Sequence, residues 1–219
     1  MTNLFSTFDP TSMFSLSLNW MSMILGMFII SSPFWMLPSK NEMLFKKTLD
    51  RLNKELATLC PKQSTLIFST LFIMIMLNNS LGLMPFIFTS TSHLSITLAM
   101  SLPIWLSMMV AGWMTKPLHM LSHTIPSGTP AILMPFMVLI ETISNMIRPI
   151  TLSVRLAANM MAGHLLITLM SSACSPSMML PSTFISLSQI LLMTLETAVS
   201  VIQAYVFMIL ATLYWSELN

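Results

Sequence analysis

The length of the apolar runs constrains this chain more than any other feature. Residues 66–88, 94–114, 131–170 and 183–215 are dominated by Leu, Ile and Met, and about 20 apolar residues suffice for a helix to cross ~30 Å of hydrocarbon. Only helices and closed barrels satisfy the backbone in lipid. The period-2 alternation of a barrel strand is absent, so the chain reads as an all-α integral membrane protein, a single membrane domain over residues 1–219. Composition agrees, since 7% of the residues are charged and 55% hydrophobic, where a soluble domain carries about 25% charged residues.

The remaining charge excludes several classes of function. A net charge of +2, with no basic stripe interleaved with aromatics, gives no nucleic-acid surface. Cys60 and Cys174 lie in unrelated segments without metal-ligand spacing and read as free thiols. The first residues, MTNLFSTFDPTSMF, lack both the Arg-rich pattern of a transit peptide and the basic start of a secretory signal. The expectation is a chain made in place rather than imported.

In chain order, 20–37 is a first membrane-crossing helix, flanked by Trp20 and Trp35 at interface depth and closed by Pro33 and Pro38. Residues 39–62 then hold six of the nine basic residues and three of the seven acidic ones. Phe45, Leu49, Leu52, Leu56 and Leu59 share one helical face there, with Lys46, Lys47, Arg51 and Lys54 opposite. That pattern predicts an amphipathic helix over 41–59 lying on the membrane surface. Further crossings follow at 66–88 and 94–114. The first carries Asn78 and Asn79 at membrane depth, for interhelical hydrogen bonding or for a water path. Residues 115–130, with Lys116, His119, His123 and several prolines, read as a loop. The two histidines have no third ligand nearby and read as surface side chains, not a metal site.

Residues 131–170 and 183–215 are too long for upright crossings. At 1.5 Å per residue the first would span ~60 Å, so it must tilt, lie flat or bend, with Pro149 the place for a bend. Together they predict a tilted helical hairpin. The basic residues outside the long helices all fall on one side of these spans. The positive-inside rule puts that side in the cytoplasm or matrix, with the N-terminus opposite.

Charges inside the hairpin need a reason, because each costs roughly 2.5–3.5 kcal/mol at the bilayer centre on insertion scales. Glu141, Arg148 and Arg155 recur every seven residues and form one rib, with Asn145, Leu152 and Asn159 close to it. His164 lies about half a turn round from Arg155. Glu196, Ser200 and Gln203 form a second rib on the last helix. These could be structural ion pairs, Glu141 with Arg148 and Glu196 with His164, but such pairs are seldom net stabilising and Arg155 is left without an acid. Intramembrane ionisable groups mark ion or proton pathways. Carboxylate and imidazole can relay a proton; arginine, charged at every accessible pH, can only attract an anion or repel a cation. The missing anion of Arg155 is therefore expected on another chain. A secondary transporter would show inverted repeats, a haem subunit would need facing histidines, and a plain anchor leaves Arg155 unexplained.

The stretch SHTIPSGTPAILMPFMVLIETISNMIRPITLSVRLAANMMAGHLL, with LETAVSVIQAYVFMILATLY near the end, resembles subunit a of F-type ATP synthases. The resemblance is closest to the mitochondrially made form of animals. It implies a proton-translocating stator in the mitochondrial inner membrane, with two offset half-channels beside a ring of c subunits. The N-terminus would lie in the intermembrane space and the C-terminus in the matrix. Arg155 matches the family's essential arginine facing the ring carboxylates. His164 and Glu196 match the half-channel from the intermembrane space, with Gln203 facing Arg155. Glu141 matches the matrix half-channel and Asn159 lies near that route, while Arg148, Ser144 and Asn79 are secondary. The implied partners are the c-ring, peripheral-stalk subunit b, ATPase subunit 8, other small membrane-sector subunits and lipid. No cofactor or metal is implied. No phosphate-binding glycine loop is present, so ATP would be made elsewhere in the complex.

Overall fold

The long elements of the computed structural model are all helices, and it describes residues 4–11, 17–28, 38–60, 62–84, 87–125, 130, 132–173 and 179–218. Among the described residues there is no strand, and four helices are long and apolar enough to cross a membrane: Ser64–Gly82, Leu94–Thr115, Met134–Ser172 and Thr183–Ser216. The crossing expected over 20–37 is described only as far as Phe28, as a 3-10 turn Leu18–Met21 and α1, Ser22–Phe28; 29–37 lie outside the described residues. Cys174 lies outside them too. Cys60 is a buried free thiol, which burial pushes above the usual thiol range.

Helix α2, Lys40–Leu59, starts with a reciprocal capping box. The Glu42 backbone N–H donates to the Ser39 hydroxyl, and the Ser39 backbone N–H donates to the Glu42 carboxylate at 2.9 Å. Ser39→Ala is expected to fray this first turn at a cost of about 1 kcal/mol, read as faster amide exchange over Lys40–Met43. On the apolar face, Leu52 and Leu56 turn into the bundle while Phe45 and Leu59 stay exposed. The helix docks on α3, Lys62–Gly82, and on α7, Met179–Leu218. The Cys60 thiol donates to the Thr212 carbonyl at 3.7 Å and the Tyr205 hydroxyl to Glu55 at 3.4 Å.

Two boundaries differ from the sequence reading. The crossing expected to reach residue 88 ends at Gly82, because the chain must turn there to lay Thr89–Ser92 into the bundle. A Cβ on Gly82 would stand 3.0 Å from Thr89 Cγ2, so a larger residue there would have to push Thr89 back by a few tenths of an ångström. The loop expected over 115–130 contains a helix, α5, Pro117–His123, directly after α4, Leu94–Thr115. Pro117 is its first residue, where a proline starts a helix because its missing N–H had no partner to lose. His119 is exposed on it. As the reading of 131–170 as one overlong element anticipates, α6, Met134–Ala173, is a single 40-residue helix, with Pro149 inside it.

Burial runs along one face of each long helix. Leu152, Leu156 and Met160 bury on α6, and Ala204, Phe207, Met208 and Ala211 on α7. Phe68, Phe72 and Ile75 of α3 join that core with Met108 of α4. Helix α3 packs chiefly on α7 and α4 chiefly on α6, while α6 and α7 pack on each other. At the end where α3 finishes, Trp20, Phe88 and His93 form an aromatic cluster with centroids 5.2–5.8 Å apart. The opposite end holds α2, α5 and the C-terminal turns of α7.

Candidate functional site

The polar ribs of α6 and α7 meet the bundle differently. On α6, Arg155 stands on the exposed side, next to exposed Val154 and one residue from buried Leu156. Among the described residues no hydrogen bond or ion pair reaches its guanidinium. On α7 the rib points inward: Glu196, Ser200 and Gln203 are all buried. The two ribs join at one bond, from the Asn159 amide to the Gln203 side-chain oxygen at 3.0 Å. Gln203, expected to face Arg155, gives that oxygen to the residue one turn further along α6.

Glu196 is 5% exposed and neither of its carboxylate oxygens has a protein partner. Its carboxylate lies against the backbone of Gly163, in space that a Cβ there would occupy. His164 is the next residue, with its ring near the backbone of Gly82, and its Nε2 is likewise buried without a partner. The ion pair considered for Glu196 and His164 is therefore not made, although the two groups come to the same turn of α6. Gly163→Ala strengthens helix propensity by about 1 kcal/mol, yet it should displace this carboxylate.

Beyond His164 a cavity of about 710 Å³ opens toward the end of the bundle where α3 finishes. Its walls include Thr168 of α6, Gln189 and Met193 of α7, and Thr89. The N-terminal 3-10 turn Leu4–Phe8 forms another wall and sets the Phe8 ring edge-on to the His164 imidazole, with centroids 6.5 Å apart. Asn79, one turn before Gly82, is fully buried with both amide atoms unpartnered, as is the Asn78 nitrogen. Asn79 thus does not make the interhelical hydrogen bond that was one expectation for it. Buried polar atoms of this kind are what internal water satisfies.

The other end of α6 carries the second polar set. Glu141 and Ser144 are half-buried, and the Ser144 hydroxyl donates to the Glu141 carbonyl at 2.9 Å. Arg148 stacks over the Tyr214 ring at 5.0 Å, beside a cavity of about 200 Å³ lined also by Thr142, Asn145 and Trp113. The structure brings His164 and Glu196 together, and Asn159 with Gln203, but keeps Glu141 apart from both. Sequence reasoning missed Gly163 as the seat for Glu196, Tyr214 under Arg148, and Phe8 over His164. Of these only Gly163 carried a signal, a glycine within a long helix, which marks close approach. Among the described residues no three His, Cys, Asp or Glu side chains group as metal ligands would.

Comparison with known proteins bears on the whole chain. Residues 13–216 match the family model described as ATP synthase A chain. The chain is 53% identical over 223 aligned positions to a Drosophila yakuba protein named ATP synthase subunit a, covering 100% of both. A Locusta migratoria protein of the same name is 54% identical over 225 positions, with 99% of each covered. Helices of membrane-crossing length, paired polar ribs and full-length identity of this degree agree on one conclusion: the chain belongs to the ATP synthase A chain family.

Proposed function

We propose that this chain conducts protons through two offset half-channels to and from carboxylates on a rotating ring of c subunits, and so drives rotation coupled to ATP synthesis. The single observation that carries the reading is Arg155, an exposed guanidinium midway along a membrane-crossing helix with no pairing group among the described residues. A permanent charge in that position calls for an anion from outside the chain, and a carboxylate that arrives and leaves is what a rotor supplies.

The first half-channel runs from the intermembrane space through the 710 Å³ vestibule to His164 and Glu196. There a proton is handed to a ring carboxylate, which as a neutral group travels through lipid far more cheaply than its anion. The second half-channel opens to the matrix near Glu141, with Arg148 and Ser144 on its flank, and takes the proton off. The ionised carboxylate then passes Arg155. The Asn159–Gln203 bond sits one turn from Arg155 and holds the two helices in register there.

The two polar sets lie at opposite ends of α6, which is what separates the channels. The basic helix α2 lies along the matrix surface, with its exposed Met43, Leu44 and Phe45 in lipid. The N-terminus is in the intermembrane space and the C-terminus in the matrix, by the positive-inside rule. Subunit b, ATPase subunit 8 and the other small membrane-sector subunits complete the stator, and nucleotide chemistry takes place elsewhere. Arg155→Ala in the assembled complex, with ATP synthesis and passive proton flux both measured, tests the reading.

A further inference from the structure

The mouth of the vestibule has an electrostatic feature that the path through His164 and Glu196 does not use. Between residues 1 and 39 the chain carries a single Asp, Glu, Lys or Arg side chain, Asp9, and the stretches 83–93 and 171–182 carry none. Among the described residues at this end of the molecule and outside the long helices, Asp9 is thus the one Asp, Glu, Lys or Arg side chain, and it lines the vestibule whose inner wall is His164.

Asp9 is held in place rather than loosely displayed. Its Oδ1 accepts from the Thr11 backbone N–H at 3.1 Å and from the Thr11 hydroxyl at 2.8 Å, while Asn19 donates to its backbone carbonyl at 3.3 Å. Among the described residues no hydrogen bond reaches its Oδ2. The preceding residue, Phe8, stands edge-on to the His164 ring, so the same short segment carries the charge and touches the imidazole. The Thr11 backbone bond, then the hydroxyl bond, holds the Asp9 carboxyl below the usual carboxylate range, which keeps it an anion near neutral pH.

We propose that Asp9 is the proton-collecting carboxylate of the vestibule, which takes protons from bulk buffer acids and passes them inward toward His164. Oδ2 accepts a proton from a buffer acid, which leaves as its conjugate base. The carboxyl then releases that proton to water in the vestibule and returns to carboxylate, so nothing accumulates on the residue. A fixed charge at a cleft mouth raises the arrival rate of the opposite charge by about tenfold or more, which matters most where mobile buffer is scarce. The inference rests on the vestibule being the intake side, as proposed above.

The test is Asp9→Asn in the assembled ATP synthase reconstituted in liposomes, with proton flux from the vestibule side measured in weakly buffered medium and again with added imidazole. Asparagine keeps the oxygen that Thr11 bonds, so the turn is retained. A fall of about 3- to 10-fold in weak buffer, restored by imidazole and absent in Asp9→Glu, is expected. Unchanged flux in weak buffer overturns the proposal. So does a fall that imidazole does not restore, which would make Asp9 a structural residue only. Glu196→Gln in the same assay separates the two readings: if that variant conducts normally the path itself fails, whereas a blocked Glu196 variant beside a normal Asp9 variant overturns only the role of Asp9.

Discussion

Arg155→Ala is expected to lower ATP synthesis by more than about 100-fold, the scale on which removal of one preorganised charge-stabilising group acts in a water-poor site. Assembly should be normal, because the side chain is exposed on α6 and no described residue bonds to it. The core beneath it, Leu152, Leu156 and Met160, is untouched. Passive proton flux should persist at or above the wild-type level, since a fixed cation between two conducting regions is a barrier to protons and alanine is none. Arg155→Lys should recover little, because a compact ammonium that can shed its proton when desolvated does not replace a planar, permanently charged guanidinium. Membranes carrying the alanine variant, assayed for synthesis and for dye-reported proton flux, decide the matter. Synthesis at the normal rate would remove Arg155 from the mechanism.

Glu196→Gln is the second large effect. The amide matches the carboxyl in shape and so fits the seat beside Gly163, but it cannot release and regain a proton. A positioned acid–base group contributes about 10²–10⁴-fold, so flux from the vestibule side is expected to slow by about 100-fold. Glu196→Asp should be intermediate, since the shorter side chain still titrates but retreats from Gly163 and His164. Its burial without a protein hydrogen-bond partner sharpens this expectation. A carboxylate kept for stability alone would be paired, because an unpaired buried polar group costs free energy. Flux unchanged by the glutamine would take Glu196 out of the pathway.

Much of the helical framework was legible because lipid leaves the backbone so few choices. Residues 131–170 read as one overlong helix, and α6 is Met134–Ala173; residues 41–59 read as amphipathic, and α2 is Lys40–Leu59. Rotational position within one helix was legible too. At 100° per residue His164 must point away from Arg155, and it lies against the vestibule while Arg155 is exposed. The errors came where local signals compete. Prolines in 115–130 read as loop markers, yet Pro117 begins α5. The apolar run through residue 88 hid the turn after Gly82, where Thr89 comes back against the helix.

From the order of its residues alone, then, this chain was bound to be helical and membrane-crossing and to carry charges along α6 and α7, since hydrocarbon forces intrahelical hydrogen bonds and makes a buried charge costly enough to notice. Which side chains meet was decided only in three dimensions. Gln203 bonds Asn159, Gly163 receives Glu196, Phe8 covers His164, and Arg155 is left open. Those pairings join segments far apart in the chain, and they depend on how far each helix slides and turns against its neighbour as the buried faces pack, which no repeat within a single helix encodes.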